Sequence, residues 1–101
     1  ETRIVLLDEP TSALDMNYAL EIMKLTSDFV KEKKITAVMV LHDLNLASMY
    51  CDNVMFLKEG KIAYSGSPKE LYKKEVFSEI YGFECEIVEN NGLLYVIPKK
   101  I

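Results

Sequence analysis

An apolar run that ends in two carboxylates and a proline constrains this chain more than any other feature. Ile4-Val5-Leu6-Leu7 contains no polar residue, the pattern of a strand buried on both faces of a parallel sheet. Asp8-Glu9-Pro10 stops it at once; the proline lacks a backbone donor, ends strand pairing and turns the chain away. From about Met16 to Lys33 the apolar residues Ala19, Leu20, Ile22, Met23, Phe29 and Val30 recur near the helical period. Asp15 stands where an N-cap belongs, and Lys31, Lys33 and Lys34 where a helix C-terminus favours positive charge. Ile35 to Leu41 is a second apolar, β-branched run, ending at His42-Asp43, and Asp43 is placed to cap a short helix through Leu44, Leu46, Ala47 and Tyr50. Strand, helix, strand, helix implies an α/β fold with a parallel sheet and right-handed crossovers.

The remainder reads as antiparallel hairpins around a helical segment. Val54 to Leu57 and Ile62 to Tyr64 flank Lys58-Glu59-Gly60-Lys61, where Gly60 is available for positive φ. Ser67-Pro68-Lys69-Glu70 supplies a capping box with proline at the first helical position. A short helix or helix pair should follow to about Tyr81, with Gly82 as its stop. Cys85 to Val88 and Leu93 to Ile97 flank Glu89-Asn90-Asn91-Gly92, whose Asn-Gly pair is a strong hairpin signal.

Two acids at the carboxyl end of a sheet strand sit where open α/β sheets bind ligands. Their charge is costly to desolvate without a positive partner, and Mg²⁺ on nucleotide phosphates suits them because it takes hard oxygen ligands and keeps several waters. Asp8 would then hold the metal, while Glu9 orients and polarises an attacking water. The competing reading is that both acids merely begin a turn and cap the next helix. For His42, at the end of the second strand, the competing reading is an ordinary structural histidine. An imidazole there also suits hydrogen bonding to a developing phosphate charge.

The continuous run Ile4-Val5-Leu6-Leu7-Asp8-Glu9-Pro10-Thr11-Ser12-Ala13-Leu14-Asp15 resembles the Walker B strand, catalytic glutamate and D-loop of ATP-binding-cassette (ABC) ATPases. Met39-Val40-Leu41-His42-Asp43-Leu44, one helix later, resembles their switch histidine segment, and Asp52 to Pro68 resembles the strand-turn-strand that follows in transporter-type cassettes. The resemblance covers nearly the whole chain. It implies the C-terminal part of a P-loop NTPase nucleotide-binding domain, with residues 1–53 as the half carrying Walker B, D-loop and switch histidine, 54–82 as a hairpin and helical segment, and 83–101 as a C-terminal hairpin. It further implies catalytic roles for Glu9 and His42, a metal-binding role for Asp8, and a D-loop role at the nucleotide interface for Ser12 and Asp15. Asp15 can serve as helix cap and interface residue together. ATP and Mg²⁺ are the implied cofactors, with a second nucleotide-binding domain (a homodimer) and transmembrane permease subunits as partners.

His42-Asp43-Leu44-Asn45-Leu46-Ala47, Tyr50-Cys51-Asp52 and Ile80-Tyr81-Gly82-Phe83-Glu84-Cys85-Glu86 resemble importers of iron chelates, haem and vitamin B12. A non-transport cassette ATPase and a non-catalytic interaction fragment are the alternatives. No Gly-x-x-x-x-Gly-Lys-Ser/Thr loop, glutamine loop or Leu-Ser-Gly-Gly-Gln signature occurs in the 101 residues. In the family all three precede the Walker B strand, so a cut just before Glu1 is expected. The chain alone should neither bind ATP tightly nor hydrolyse it. The family's P-loop strand lies between the His42 strand and the strand near Val54, so two strand edges should lack partners here.

Composition adds limits. Twelve basic against sixteen acidic residues give a net charge of −4, which argues against a nucleic-acid partner. Cys51 and Cys85 form no ligand-spaced pair and read as reduced thiols of a reducing compartment. No apolar run approaches the roughly 20 residues of a membrane span, and no signal peptide is visible. The expected location is cytoplasmic, peripheral at the inner face of the membrane.

Overall fold

The computed structural model describes residues 3–101, so the expected cut before Glu1 lies outside the described residues. The chain divides into two compact units, one ending at Leu46 and the other running from Ala47 to Ile101.

The first unit opens with β1 (Ile4–Asp8), α1 (Met16–Lys33) and β2 (Thr36–Val40). The two strands pair in parallel, from Ile4 opposite Thr36 to Asp8 opposite Val40. Helix α1 ends as its lysines suggest: Lys34 adopts a left-handed backbone at φ 54°, and its N–H donates to the Val30 carbonyl. At the other end Asp15 occupies the N-cap with an extended backbone, but its side chain makes no capping hydrogen bond. The expected carboxylate cap is therefore corrected to a positional one.

A second correction concerns β1. Its apolar run was expected to be buried on both faces, yet Ile4 and Leu6 are 63% and 76% exposed, and Val38 and Val40 on the same face of β2 are 38% and 52% exposed. Among the described residues the sheet contains only β1 and β2, and no described element of this unit covers that face. Val5, Leu7 and Ala37 on the other face share an open groove with Leu25, Phe29 and Val30 of α1.

Helix α2 (Leu44–Tyr50) leads into the second unit, which contains β3 (Val54–Lys58), β4 (Lys61–Gly66), α3 (Pro68–Leu71), α4 (Lys74–Tyr81), β5 (Cys85–Asn90) and β6 (Leu93–Pro98). Strands β3 and β4 form one antiparallel hairpin and β5 and β6 another. Among the described residues β2 pairs only with β1 and β3 only with β4. Both hairpins turn through two residues of positive φ, Glu59-Gly60 and Asn91-Gly92, the twist that two-residue hairpins need.

The capping box forms in full: the Glu70 N–H donates to Ser67 Oγ at 3.2 Å and the Ser67 N–H to Glu70 Oε1 at 3.0 Å. Gly82 closes α4 in a left-handed conformation. Phe77 is fully buried, with its ring centroid 5.1 Å from Tyr72 and 5.4 Å from Phe56. Ser48, itself buried, donates its hydroxyl to the Leu94 carbonyl. Both cysteines are free thiols, Cys85 buried and Cys51 half-buried, and burial raises the pKa of each. Among the described residues no helix is long and apolar enough to cross a membrane.

Candidate active site at the carboxyl ends of β1 and β2

Parallel pairing brings the ends of β1 and β2 side by side, so the residues that follow them must meet. The Glu9 N–H donates to the Val40 carbonyl at 2.9 Å, extending the ladder one step past the strand. Glu9 itself has φ 49°, a left-handed conformation uncommon for a residue with a side chain. The chain then folds through two successive turns, Ser12 N–H to Glu9 carbonyl at 3.1 Å and Leu14 N–H to Thr11 carbonyl at 3.2 Å. Ala13, inside the second turn, is left-handed at φ 66°.

This route places Oε1 of Glu9 against Nε2 of His42. The Glu9 side chain is 38% exposed and the His42 side chain 79% exposed, so both remain open to a ligand. A cavity of about 160 Å³ adjoins them, lined by Glu9, Thr11, Ser12 and Leu14, by Met16 and Ala19 of α1, and by His42, Asp43 and Leu46.

The structure thus brings together Glu9, Ser12 and His42. Asp8 ends β1 as an exposed residue opposite Val40 and does not line the cavity. Asp15 is exposed at the start of α1, where its carbonyl accepts from the Ala19 N–H at 2.9 Å, and it too stands outside the cavity lining. Two polar lining residues, Thr11 and Asp43, were not assigned to the site from sequence. Asp43 had a signal, its position immediately after His42 with a cap's spacing to the next helix.

Among the described residues no three His, Cys, Asp or Glu side chains gather into a protein-only metal cage. A single exposed carboxylate fits Mg²⁺ instead, an ion that keeps most of its waters and draws its other ligands from phosphate. The donor set is thus compatible with a metal that arrives with a nucleotide.

Known proteins give the same class. No family model matches the chain. It is 41% identical over 100 residues to the petrobactin import ATP-binding protein FpuC of Bacillus anthracis, covering 99% of this chain and 37% of that protein. It is 43% identical over 100 residues to the ferric enterobactin transport ATP-binding protein FepC of Escherichia coli (strain K12), covering 97% of this chain and 37% of that one. Among solved structures, an inward-facing metal-chelate type ABC transporter superposes with a TM-score of 0.84 at 20% identity, over 97% of this chain and 41% of that one. The last of these shows the fold alone. The chain belongs to the family of ABC transporter ATP-binding proteins. It spans a little over a third of the length of the curated relatives named here.

Proposed function

We propose that the chain is the C-terminal part of the nucleotide-binding domain of an ABC importer for an iron chelate or haem, and that it supplies the hydrolytic residues of an ATPase site. The observation that carries the reading is the contact between Glu9 and His42 at the ends of two parallel strands.

In this site Glu9 orients a water for in-line attack on the γ-phosphorus and takes its proton as the new P–O bond forms and the bond to ADP breaks. His42, with its proton on Nε2, donates to the Glu9 carboxylate and steadies it; its exposed ring also reaches toward phosphate oxygens. Asp8 would hold Mg²⁺, whose contribution when bound is to neutralise phosphate charge. Ser12 and Asp15 belong to the D-loop, at the interface with a second nucleotide-binding domain in a homodimer. Transmembrane permease subunits complete the assembly, and the protein is cytoplasmic, peripheral at the inner membrane face. The relatives' names support the substrate class.

The 101 residues contain no phosphate-binding loop, so the test uses a longer protein that contains both this segment and such a loop. There Glu9→Gln should lower turnover by about 10²- to 10⁴-fold, the range of a positioned general base, with ATP binding retained. Wild-type turnover in that variant would end the general-base assignment. Isothermal titration of the 101-residue chain with Mg-ATP should show no stoichiometric binding.

A further inference from the structure

We infer that Asp43 is the positioning residue of this site: its carboxylate fixes one end of the short segment that holds His42 against Glu9. Leu41, His42 and Asp43 link the last residue of β2 to the first residue of α2. The first end of the link is held at Val40, whose carbonyl accepts the Glu9 N–H at 2.9 Å. Glu9 and His42 therefore share one mount at the β2 end of the link. The second mount is Asp43. Its Oδ1 accepts from the backbone N–H of Asn45 at 2.9 Å and of Leu46 at 3.0 Å, and Leu46 is only 3% exposed.

The carboxylate thus ties the residue beside His42 to a helix start anchored by a buried leucine. Asp43 also lines the same cavity as Glu9, Ser12 and His42, so the tie lies beside the reacting groups. Without it, the backbone N–H groups of Asn45 and Leu46 lose this acceptor, and the link loses the side-chain tie at its α2 end.

A bland helix cap would stabilise α2 and leave the His42 contact unchanged, so the test reads the contact itself. His42 is the single histidine of the chain, and its ring signals in a long-range ¹H–¹⁵N spectrum need no assignment by elimination. The quantity measured is the displacement of those signals caused by Glu9→Gln, in wild-type, Asp43→Asn, Asp43→Ala and Asp43→Gly backgrounds. The displacement should be present in the wild type and retained with Asp43→Asn, because asparagine caps as well as aspartate. It should vanish with Asp43→Ala and Asp43→Gly. Glycine is tolerated at an N-cap with little loss, so that arm decides the matter if Asp43→Ala does not fold.

A full displacement in a folded Asp43→Gly or Asp43→Ala chain overturns the inference, as does no displacement in the wild type. A second arm rests on the ATPase reading above. In the longer protein Asp43→Gly should lower kcat by on the order of 10- to 100-fold, leave KM for ATP unchanged, and be rescued by Asp43→Asn. A longer protein without ATPase activity, whose His42 signals still follow Glu9 and Asp43, would sink the ATPase reading and leave the positioning role standing.

Discussion

The unit that ends at Leu46 and the unit from Ala47 to Ile101 bury themselves to different extents. The second gathers Phe56, Tyr72 and Phe77 with Val54, Leu71, Val76, Cys85 and Val96 into a core, all of them buried. The first buries Ala19, Met23 and Leu46, and leaves Ile4, Leu6, Val40, Leu25 and Phe29 at least half exposed. The difference also runs through the backbone. In the second unit, positive φ without glycine occurs at Glu59 and Asn91, where tight hairpin turns require it. In the first it occurs at Lys34, where α1 ends, and at Glu9 and Ala13, beside the chemistry. The unit that carries the site spends conformational strain on geometry, whereas the other relies on its core.

The contrast breaks most readily at Phe77. The ring is fully buried and lies within 6.2 Å, centroid to centroid, of Phe56, Tyr72, Tyr81 and Phe83. Phe77→Ala should cost about 3–5 kcal/mol, the usual penalty for emptying a packed aromatic site. Urea unfolding measures the total, and amide hydrogen exchange should locate the loss in residues 47–101. A cost below about 1 kcal/mol would show that this unit is not held by its aromatic cluster.

Alanine-to-glycine changes should have opposite signs in the two units. At Ala13, with φ 66°, glycine relieves a left-handed penalty of roughly 1–2 kcal/mol. Against this stands the extra chain entropy of glycine, about 0.5–1 kcal/mol. The net effect should be a stabilisation of up to about 1.5 kcal/mol. Ala63, inside β4 with ordinary φ, has no strain to relieve, so Ala63→Gly should destabilise by about 0.5–1 kcal/mol. Thermal melts of the two variants check the signs. Equal signs would remove the strain argument for the first unit.

Much of this was legible in the chain itself, because the deciding interactions are local. Spacing alone marked the ends of β1 and α1, the Ser67–Glu70 capping box, the Asn91-Gly92 turn and the Asp43 cap, each a contact between residues a few positions apart. The meeting of Glu9 and His42 followed from parallel pairing of two apolar runs. What stayed hidden depends on neighbours or on backbone detail. The exposure of Ile4 and Leu6 is set by what covers a sheet face, which an apolar run cannot report. The left-handed turn at Glu9 is a conformation its residue type disfavours, and the empty cap of Asp15 is one among several that aspartate allows. Thr11 and Asp43 join the site only because two turns and a helix start converge on one cavity.

The smallest expected effect separates the units by pH and salt. Glu70 has a folded pKa below the ordinary 4.5, chiefly through the hydrogen bond from the Ser67 N–H and then that from its hydroxyl. Asp28, in α1, is likewise lowered, by its hydrogen bond and charge pairing with Lys24 at 2.7 Å. Each carboxylate favours folding in its ionised form. Its contribution is fully present above the unfolded value and is lost as pH falls through the lower folded one. The melting-temperature advantage of wild type over Glu70→Gln, and over Asp28→Asn, should therefore shrink as pH drops below about 4. Salt should then tell them apart. The Asp28 partner is an exposed, charged lysine, so molar salt weakens the pair. Glu70 is held by its own turn through neutral donors, and its advantage should survive. If salt erased both advantages equally, the capping box would be acting through charge, and the local hydrogen bonds credited to the second unit would be doing less than its geometry implies.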